Sequence, residues 1–95
     1  MTDNRPIGVF DSGIGGLTVL REIWKTVPGE STIYFGDNSR TPYGTKSRST
    51  VIRYSLQNLK FLENKDVKMV VIACNTATAA AIGTLRERYP ELIVI

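Results

Sequence analysis

Four apolar runs along the chain alternate with segments whose apolar residues recur every three or four positions. These runs cover residues 7–10, 67–73 and 92–95, together with residues 31–35, which are rich in β-branched and aromatic side chains. Short apolar runs predict strands, whereas steps of three and four positions predict amphipathic helices. Because strands that alternate with helices are typical of right-handed βαβ units, the pattern predicts the α/β class. We expect an open parallel sheet of about four strands with flanking helices.

Three segments between these runs have the spacing of helices. The first ends at Pro28-Gly29, the second runs from about residue 46 to 64, and the third, residues 76–88, is rich in alanine. The run 67–73 is nearly continuous, as in a strand that is buried on both faces of a parallel sheet. Apolar faces are formed by Leu17, Leu20, Trp24 and Val27 in the first helix, and by Val51, Tyr54 or Ser55, Leu59 and Leu62 in the second.

Length, charge and cysteine content exclude several classes of protein. Ninety-five residues predict one domain, residues 1–95, and a net charge of +3 without a dense basic run argues against nucleic-acid binding. No apolar run approaches the roughly 18 residues of a membrane span, and no signal peptide pattern is present. One cysteine and no histidine exclude an internal disulfide or a Cys/His zinc site. A reducing, cytoplasmic location fits this composition.

Polar side chains follow three of the four predicted strands. In open α/β sheets, ligands bind in the crevice outside the carboxyl ends of the strands. All three polar segments are therefore expected on one rim. The segments are Asp11-Ser12 after the first strand, Asp37 and then Tyr43-Gly44 after the second, and Cys74-Asn75-Thr76 after the third.

The glycine-rich segment after Asp11-Ser12 has two interpretations of about equal weight. Asp and Ser are common helix caps, because their oxygens accept hydrogen bonds from the free amides of a first turn. Gly13, Gly15 and Gly16 favour ligand binding, since glycines let a backbone approach an anion closely. A dinucleotide fingerprint would need glycine or alanine where Thr18 stands, and the lysine of a phosphate loop is missing.

The other two segments also have structural interpretations. Residues 41–44 read as a β-turn in which proline sets φ and Gly44 relieves strain. A lone cysteine is usually a small buried hydrophobe, and Asn75 and Thr76 are typical caps. The position of Cys74 before a helix N-terminus nevertheless favours its thiolate, the form that acts as a base or nucleophile.

Two other chemistries fit less well. A cysteine phosphatase would need arginine six residues after the thiol, where Ala80 stands. A phosphoacceptor receiver-like domain would need an acidic neighbour beside Asp11 and an aspartate in place of Cys74.

Four segments in order resemble the N-terminal half of glutamate racemases, in the aspartate/glutamate racemase superfamily. They are residues 8–19 (GVFDSGIGGLTV), 34–37 (YFGD), 42–44 (PYG) and 73–77 (ACNTA). The resemblance implies the first domain of a two-domain racemase fold. It also implies a two-thiol reaction that interconverts L- and D-glutamate without cofactor or metal and supplies D-glutamate for peptidoglycan.

The resemblance assigns roles to particular residues. Cys74 and Asp11 would be catalytic, with Cys74 as the base toward D-glutamate. The family's second thiol lies in a Cys-Thr-His segment of a second domain, which we expect to be absent from this chain. A homodimer is a further expectation. In the racemase, the substrate would be bound by Asp11, Ser12, Tyr43, Gly44, Asn75 and Thr76.

The alternative functions are a non-catalytic dicarboxylate-binding module and an aspartate racemase.

Overall fold

The computed structural model describes residues 3–13 and 15–95. Its strands are β1 (Ile7–Asp11), β2 (Thr32–Gly36), β3 (Met69–Ile72) and β4 (Ile93–Val94), and its helices are α1 (Leu17–Thr26), α2 (Arg48–Glu63) and α3 (Asn75–Arg88). The strands form one parallel sheet in the order β2-β1-β3-β4. The predicted α/β class, strand number and parallel sheet are confirmed.

The register of the sheet brings the carboxyl ends of three strands to one edge. Asp11 pairs with Gly36 across β1 and β2, and Phe10 pairs with Ile72 across β1 and β3. The amide of Ala73 continues this pairing by donating to the carbonyl of Phe10 at 2.8 Å. The residues that follow these strands therefore lie on one rim, as the sequence predicts.

The core fills the space between one face of the sheet and helices α2 and α3. Alternate residues of the strands point to this face, as the pleat of a strand requires. The α2 positions predicted to face inward are buried, with serine rather than tyrosine at the ambiguous position. Members of this core include Phe10, Val70, Ile72 and Val94 from the strands, and Val51, Leu59, Leu62, Ala77, Ala81 and Leu85 from the helices.

Among the described residues, α1 alone covers the other face of the sheet, and here the sequence prediction is partly wrong. Of the predicted apolar face, only Leu20 is buried, while Leu17 and Val27 are exposed and Trp24 is 52% exposed. A groove of about 330 Å³ separates the helix from Met69 and its neighbours. In the described part of the chain no second helix lies beside α1 on this face, so the side chains of its stripe that do not point directly at the sheet stay exposed.

The same uncovered face corrects the prediction of strands buried on both sides. Val70 and Ile72 are buried against the helices, but Met69 and Val71 are only half-buried on the α1 side. In β4, Val94 is buried while Ile93 is 59% exposed. The apolar runs therefore predicted these strands correctly, but the prediction that both faces of the strand are buried is wrong.

The segment between β2 and α2 was predicted as an irregular loop and contains two short 3₁₀ turns, Asn38–Arg40 and Tyr43–Thr45. Helix α2 then begins after Ser47, whose hydroxyl accepts from the amide of Thr50 at 3.2 Å. Among the helices of residues 3–13 and 15–95, none is long and apolar enough to cross a membrane.

Candidate active site

Three loops converge at the carboxyl edge of the sheet. A Cβ built on Gly13 would lie 3.3 Å from the hydroxyl oxygen of Thr41, so the loop after β1 contacts the loop after β2. A Cβ built on Gly44 would lie 3.8 Å from the hydroxyl oxygen of Thr76, so the loop after β2 also approaches the start of α3. The structure therefore brings together the three segments that the sequence singled out. Ile14, which belongs to the glycine-rich motif, lies outside the described residues.

Asp11 is the buried acid of this site, with 4% of its surface exposed. Its Oδ1 accepts a hydrogen bond from the amide of Ser12 at 2.7 Å, and its Oδ2 accepts one from the amide of Gly16 at 2.5 Å. Gly16 can approach because it lacks a side chain; a Cβ there would lie 2.7 Å from Cβ of Ala73. The helix-capping interpretation of Asp11 is wrong: α1 begins after Gly16, and no side chain among the described residues caps its first turn. Asp11 instead binds amides within the turn before the helix, and its contact with a ligand stays a prediction.

Tyr34 in β2 is a third partner of this carboxylate. Its hydroxyl lies 3.0 Å from Oδ2 of Asp11 and 2.9 Å from the carbonyl oxygen of Gly13. Partial burial, with the hydrogen bond to and charge of Asp11, raises the pKa of Tyr34 to about 12. The phenol is therefore neutral, and a hydrogen-bond donor, throughout the physiological pH range.

Cys74 occupies the position before α3 that the sequence indicates. The thiol is 9% exposed, and its Sγ accepts from the amide of Ala77 at 3.4 Å. The carbonyl of the same residue accepts from the amide of Thr78 at 3.0 Å, which closes the first turn of the helix. An amide donor and the positive end of a helix dipole both stabilise negative charge on sulfur. The sulfur therefore lies at the N-terminus of α3 with an amide donor directed at it, in the position that the sequence predicts.

The side chain of Tyr43 belongs to the hydrophobic core. It is buried, and its hydroxyl donates to Oδ2 of Asp37 at 2.5 Å and accepts from Nδ2 of Asn58 at 2.7 Å. Burial first, and then Asp37, hold the pKa of Tyr43 well above its usual value. The Tyr43 side chain is therefore committed to this internal network, and only its backbone is free for other contacts. Amides at the start of a helical turn lack partners within that turn, which makes them available to an anion.

Arg40, in the same loop, joins Asp37 and Asn58 in a hydrogen-bonded network. Its Nε donates to Oδ2 of Asp37 at 2.8 Å, and its Nη2 donates to Oδ1 of Asn58 at 3.1 Å. The guanidinium also lies 4.0 Å above the ring centroid of Tyr54. The buried Asp37 is thereby paired, as a buried carboxylate requires. This network fixes the conformation of the loop between β2 and α2.

The turn at Gly44 differs from the predicted β-turn. The Thr41-Pro42 bond is cis, and no glycine among the described residues has positive φ, so Gly44 relieves no left-handed strain. Glycine at this position instead lets the loop lie close to the side chain of Thr76. A shallow cleft of about 460 Å³ opens at this point, and Lys46 and Arg48 line it together with Thr76.

The sequence predictions missed Tyr34, Asn58 and Arg40. Tyr34 reads as an ordinary aromatic strand residue, although it lies within the YFGD segment. Asn58 interrupts the apolar face of α2, and a polar residue between Val51 and Leu62 on that face is the one signal that was available. Arg40 had no distinguishing pattern, because its pairing with Asp37 depends on the loop conformation.

Comparison with known proteins identifies the relatives of this chain. No protein-family model matches it. A glutamate racemase of Geobacter metallireducens is 59% identical over 83 residues, which are 87% of this chain and 31% of that protein. The crystal structure of the Francisella tularensis glutamate racemase in complex with D-glutamate superposes with a TM-score of 0.94 at 51% identity, covering 99% of this chain and 36% of that one.

A more distant structure agrees. The Escherichia coli glutamate racemase, in complex with L-glutamate and the activator UDP-MurNAc-ala, superposes with a TM-score of 0.89 at 34% identity, covering 96% of this chain and 35% of that one. The chain therefore spans about a third of the length of the relatives that it matches. In sequence and in fold, it belongs to the glutamate racemase family.

Proposed function

We propose that this chain supplies one catalytic face of a cofactor-independent glutamate racemase, with Cys74 as its thiol. The observation that carries the proposal is the position of Cys74 before α3, where its Sγ accepts from the amide of Ala77. The relatives' complexes with D- and L-glutamate support glutamate as the substrate. They favour glutamate over aspartate, the alternative substrate.

The proposed reaction moves one proton off the α-carbon and another onto it. The thiolate of Cys74 takes the α-proton and becomes a thiol, leaving the electron pair on the α-carbon. An acid on the opposite face then donates a proton to that carbon, which inverts it. An α-proton is a weak acid, so a positioned base and exclusion of water are both needed. The second acid is the thiol that the resemblance assigns to another domain.

The substrate's charged groups would bind the segments around Cys74. Asp11 and Ser12 carry the acceptors suited to an ammonium group, and Asp11 would also assist proton transfer. The backbone of Tyr43 and Gly44 and the side chains of Asn75 and Thr76 would hold the carboxylates. Because the Tyr43 side chain is bonded to Asp37, its contribution is assigned to the main chain.

The cellular role follows from the reaction. D-Glutamate is a component of peptidoglycan, so the product would serve cell-wall biogenesis and cell shape in the cytoplasm. The Escherichia coli relative's complex with an activator that carries MurNAc supports this connection. We also propose that a second domain, and pairing into a homodimer, complete the enzyme.

A chimera tests the catalytic proposal directly. The chain would replace the segment that it matches in the Geobacter metallireducens racemase. Circular dichroism would then follow the interconversion of L- and D-glutamate without added cofactor. Because a general base contributes about 10²- to 10⁴-fold, Cys74→Ala should lower kcat by about that factor. Gly83→Ala is the control, since Gly83 lies in α3 with nothing within 4 Å of its added Cβ.

The outcomes separate the candidate functions. Racemisation that depends on Cys74 supports the proposal, and faster turnover of aspartate than of glutamate would favour the other substrate. A folded chimera whose activity survives Cys74→Ala would refute the assignment of the base. If the 95-residue chain binds glutamate, with amide shifts at Gly13 and Thr76, while the chimera gives no turnover, the dicarboxylate-binding module becomes the better description.

A further inference from the structure

Tyr34 connects β2 to the turn that follows β1. It lies opposite Val9 in the β1–β2 register, on the same face of β2 as Gly36, which is two residues later and pairs with Asp11. Its hydroxyl is within hydrogen-bond distance of both Oδ2 of Asp11 and the carbonyl of Gly13. A hydroxyl has one proton, which these two acceptors share. Tyr34 therefore holds the start and the middle of the turn at the same time.

The hydrogen bonds divide the two oxygens of Asp11 into different environments. Among the described residues, Oδ2 accepts from Gly16 and Tyr34, whereas Oδ1 accepts only from Ser12. A carboxylate offers about four acceptor sites in all. The described partners use three of them, and Oδ1 has the remaining capacity. Rotation of the carboxylate about its Cβ–Cγ bond would break these hydrogen bonds, and the bond to Tyr34 is one that opposes this rotation.

We propose that Tyr34 is a positioning residue of the racemase: its hydroxyl fixes the Asp11 carboxylate so that Oδ1 is the oxygen presented to the substrate. This inference rests on the proposed function and adds to it a residue outside the predicted site. Tyr34 does not itself touch the reacting atoms; it acts through Asp11 and through the turn at Gly13.

Backbone packing supports this role. A Cβ built on Gly36 would lie 2.3 Å from the carbonyl oxygen of Gly13, so the turn rests directly on the end of β2. Tyr34 precedes Gly36 on the same strand and contacts the same carbonyl. The strand thus holds the turn by a close backbone contact and by a phenol, and only the phenol also reaches Asp11. Because the pKa of this phenol is about 12, the phenol is neutral and the donor is present under any assay condition near neutrality.

The first test does not require turnover. Tyr34→Phe removes the hydrogen-bond donor and keeps the ring. Tyr89→Phe is the control, because it removes a hydroxyl at the end of α3, at the opposite end of the sheet near Arg5. Amide hydrogen exchange in the 95-residue chain should be faster at Ser12 and Gly16 in Tyr34→Phe by about tenfold, and unchanged in Tyr89→Phe. Exchange that is equal in both variants would refute the positioning role.

The second test uses the active chimera. Tyr34→Phe should lower kcat by about 10- to 100-fold, as misplacement of a catalytic group does, with KM changed by less than about threefold. In an Asp11→Asn background the same substitution should change kcat by less than about twofold, because residues that act through one another are not additive. Equal effects in both backgrounds would show that Tyr34 acts independently of Asp11 and would overturn the inference.

The two tests also keep the inference apart from the proposed function. If the parent chimera has no racemase activity, the proposed function fails, and amide exchange at Ser12 and Gly16 still decides whether Tyr34 holds the turn. If the parent is active and Tyr34→Phe retains full kcat, the function stands and the positioning role is rejected. Unfolding midpoints of all variants would identify a loss of activity that is due only to unfolding.

Discussion

The hydroxyl of Tyr43 donates a hydrogen bond to Oδ2 of Asp37. Both residues belong to the loop between β2 and α2, and both side chains are buried. Asp37 directly follows the strand, while Tyr43 lies six residues later at the point where the loop approaches α3. The bond thus ties the far end of the loop to its beginning. The rim position of the Tyr43-Gly44 backbone depends on this internal contact.

The first prediction concerns the stability of that contact. Tyr43→Phe should lower the free energy of unfolding by about 1–3 kcal/mol, because Asp37 and Asn58 each lose a buried hydrogen-bond partner. Urea denaturation of the 95-residue chain would measure the change. Tyr54→Phe is the matched control, since the ring of Tyr54 packs on Arg40 while its hydroxyl makes no side-chain hydrogen bond among the described residues. Equal losses in both variants would contradict the prediction.

The second prediction compares two glycines. Gly36→Ala should destabilise the chain by about 1–3 kcal/mol or more, because its Cβ would lie 2.3 Å from a backbone oxygen that cannot move freely. Gly83→Ala should stabilise it by about 0.5–1 kcal/mol, since Gly83 lies inside α3 with nothing within 4 Å. Thermal unfolding of the two variants checks both signs, and a shift in the same direction would contradict the structural argument.

The elements and the rim followed from the sequence because they depend on local periodicity and on strand ends. The stretch around Leu59 buries the residues that its spacing predicts, whereas the strand at Val70 buries only the side chains that face α2 and α3. The exposure of Trp24 could not be predicted, because it depends on how much of the sheet other layers cover. The pairing of Tyr34 with Asp11 joins residues 23 positions apart, and only the register of β1 against β2 brings them together.

The third prediction follows from the raised pKa of Tyr34. Folding favours the neutral phenol, because its pKa is about 12 in the structure and about 10 in an unfolded chain. The stabilisation is therefore complete below about pH 10 and is lost as pH rises through about 12. Urea unfolding from about pH 9 to pH 12 should show a shallower loss of stability in Tyr34→Phe than in the parent. A parallel loss in both proteins would mean that Tyr34 does not contribute.

The fourth prediction concerns Ser55, whose hydroxyl is buried without a hydrogen-bond partner among the described residues. An unpaired buried hydroxyl costs about 1–3 kcal/mol, and alanine is the better helix former. Ser55→Ala should therefore raise the free energy of unfolding by about 1 kcal/mol, with no change in racemase activity of the chimera. A destabilised variant would show that this hydroxyl has a partner or fills space that a methyl group cannot.

The last prediction separates the structural role of Cys74 from its chemical role. The Sγ of Cys74 caps α3 by accepting from the amide of Ala77, and serine is among the preferred residues at such a position. Cys74→Ser should therefore keep the stability of the chain within about 0.5 kcal/mol, whereas Cys74→Ala should lower it by about 1 kcal/mol.

Catalysis should rank the same two variants differently. A serine hydroxyl is a far weaker acid than a thiol, so neither variant supplies an anionic base near neutral pH. Both should lose kcat in the chimera by at least about 10²-fold. Denaturation curves and racemase assays on the same preparations test this. If the serine variant were both stable and active, proton abstraction would belong to another group of the rim, and Asp11 would be the first to examine. If activity instead followed stability across the two variants, the contribution of Cys74 would be that of a helix cap alone.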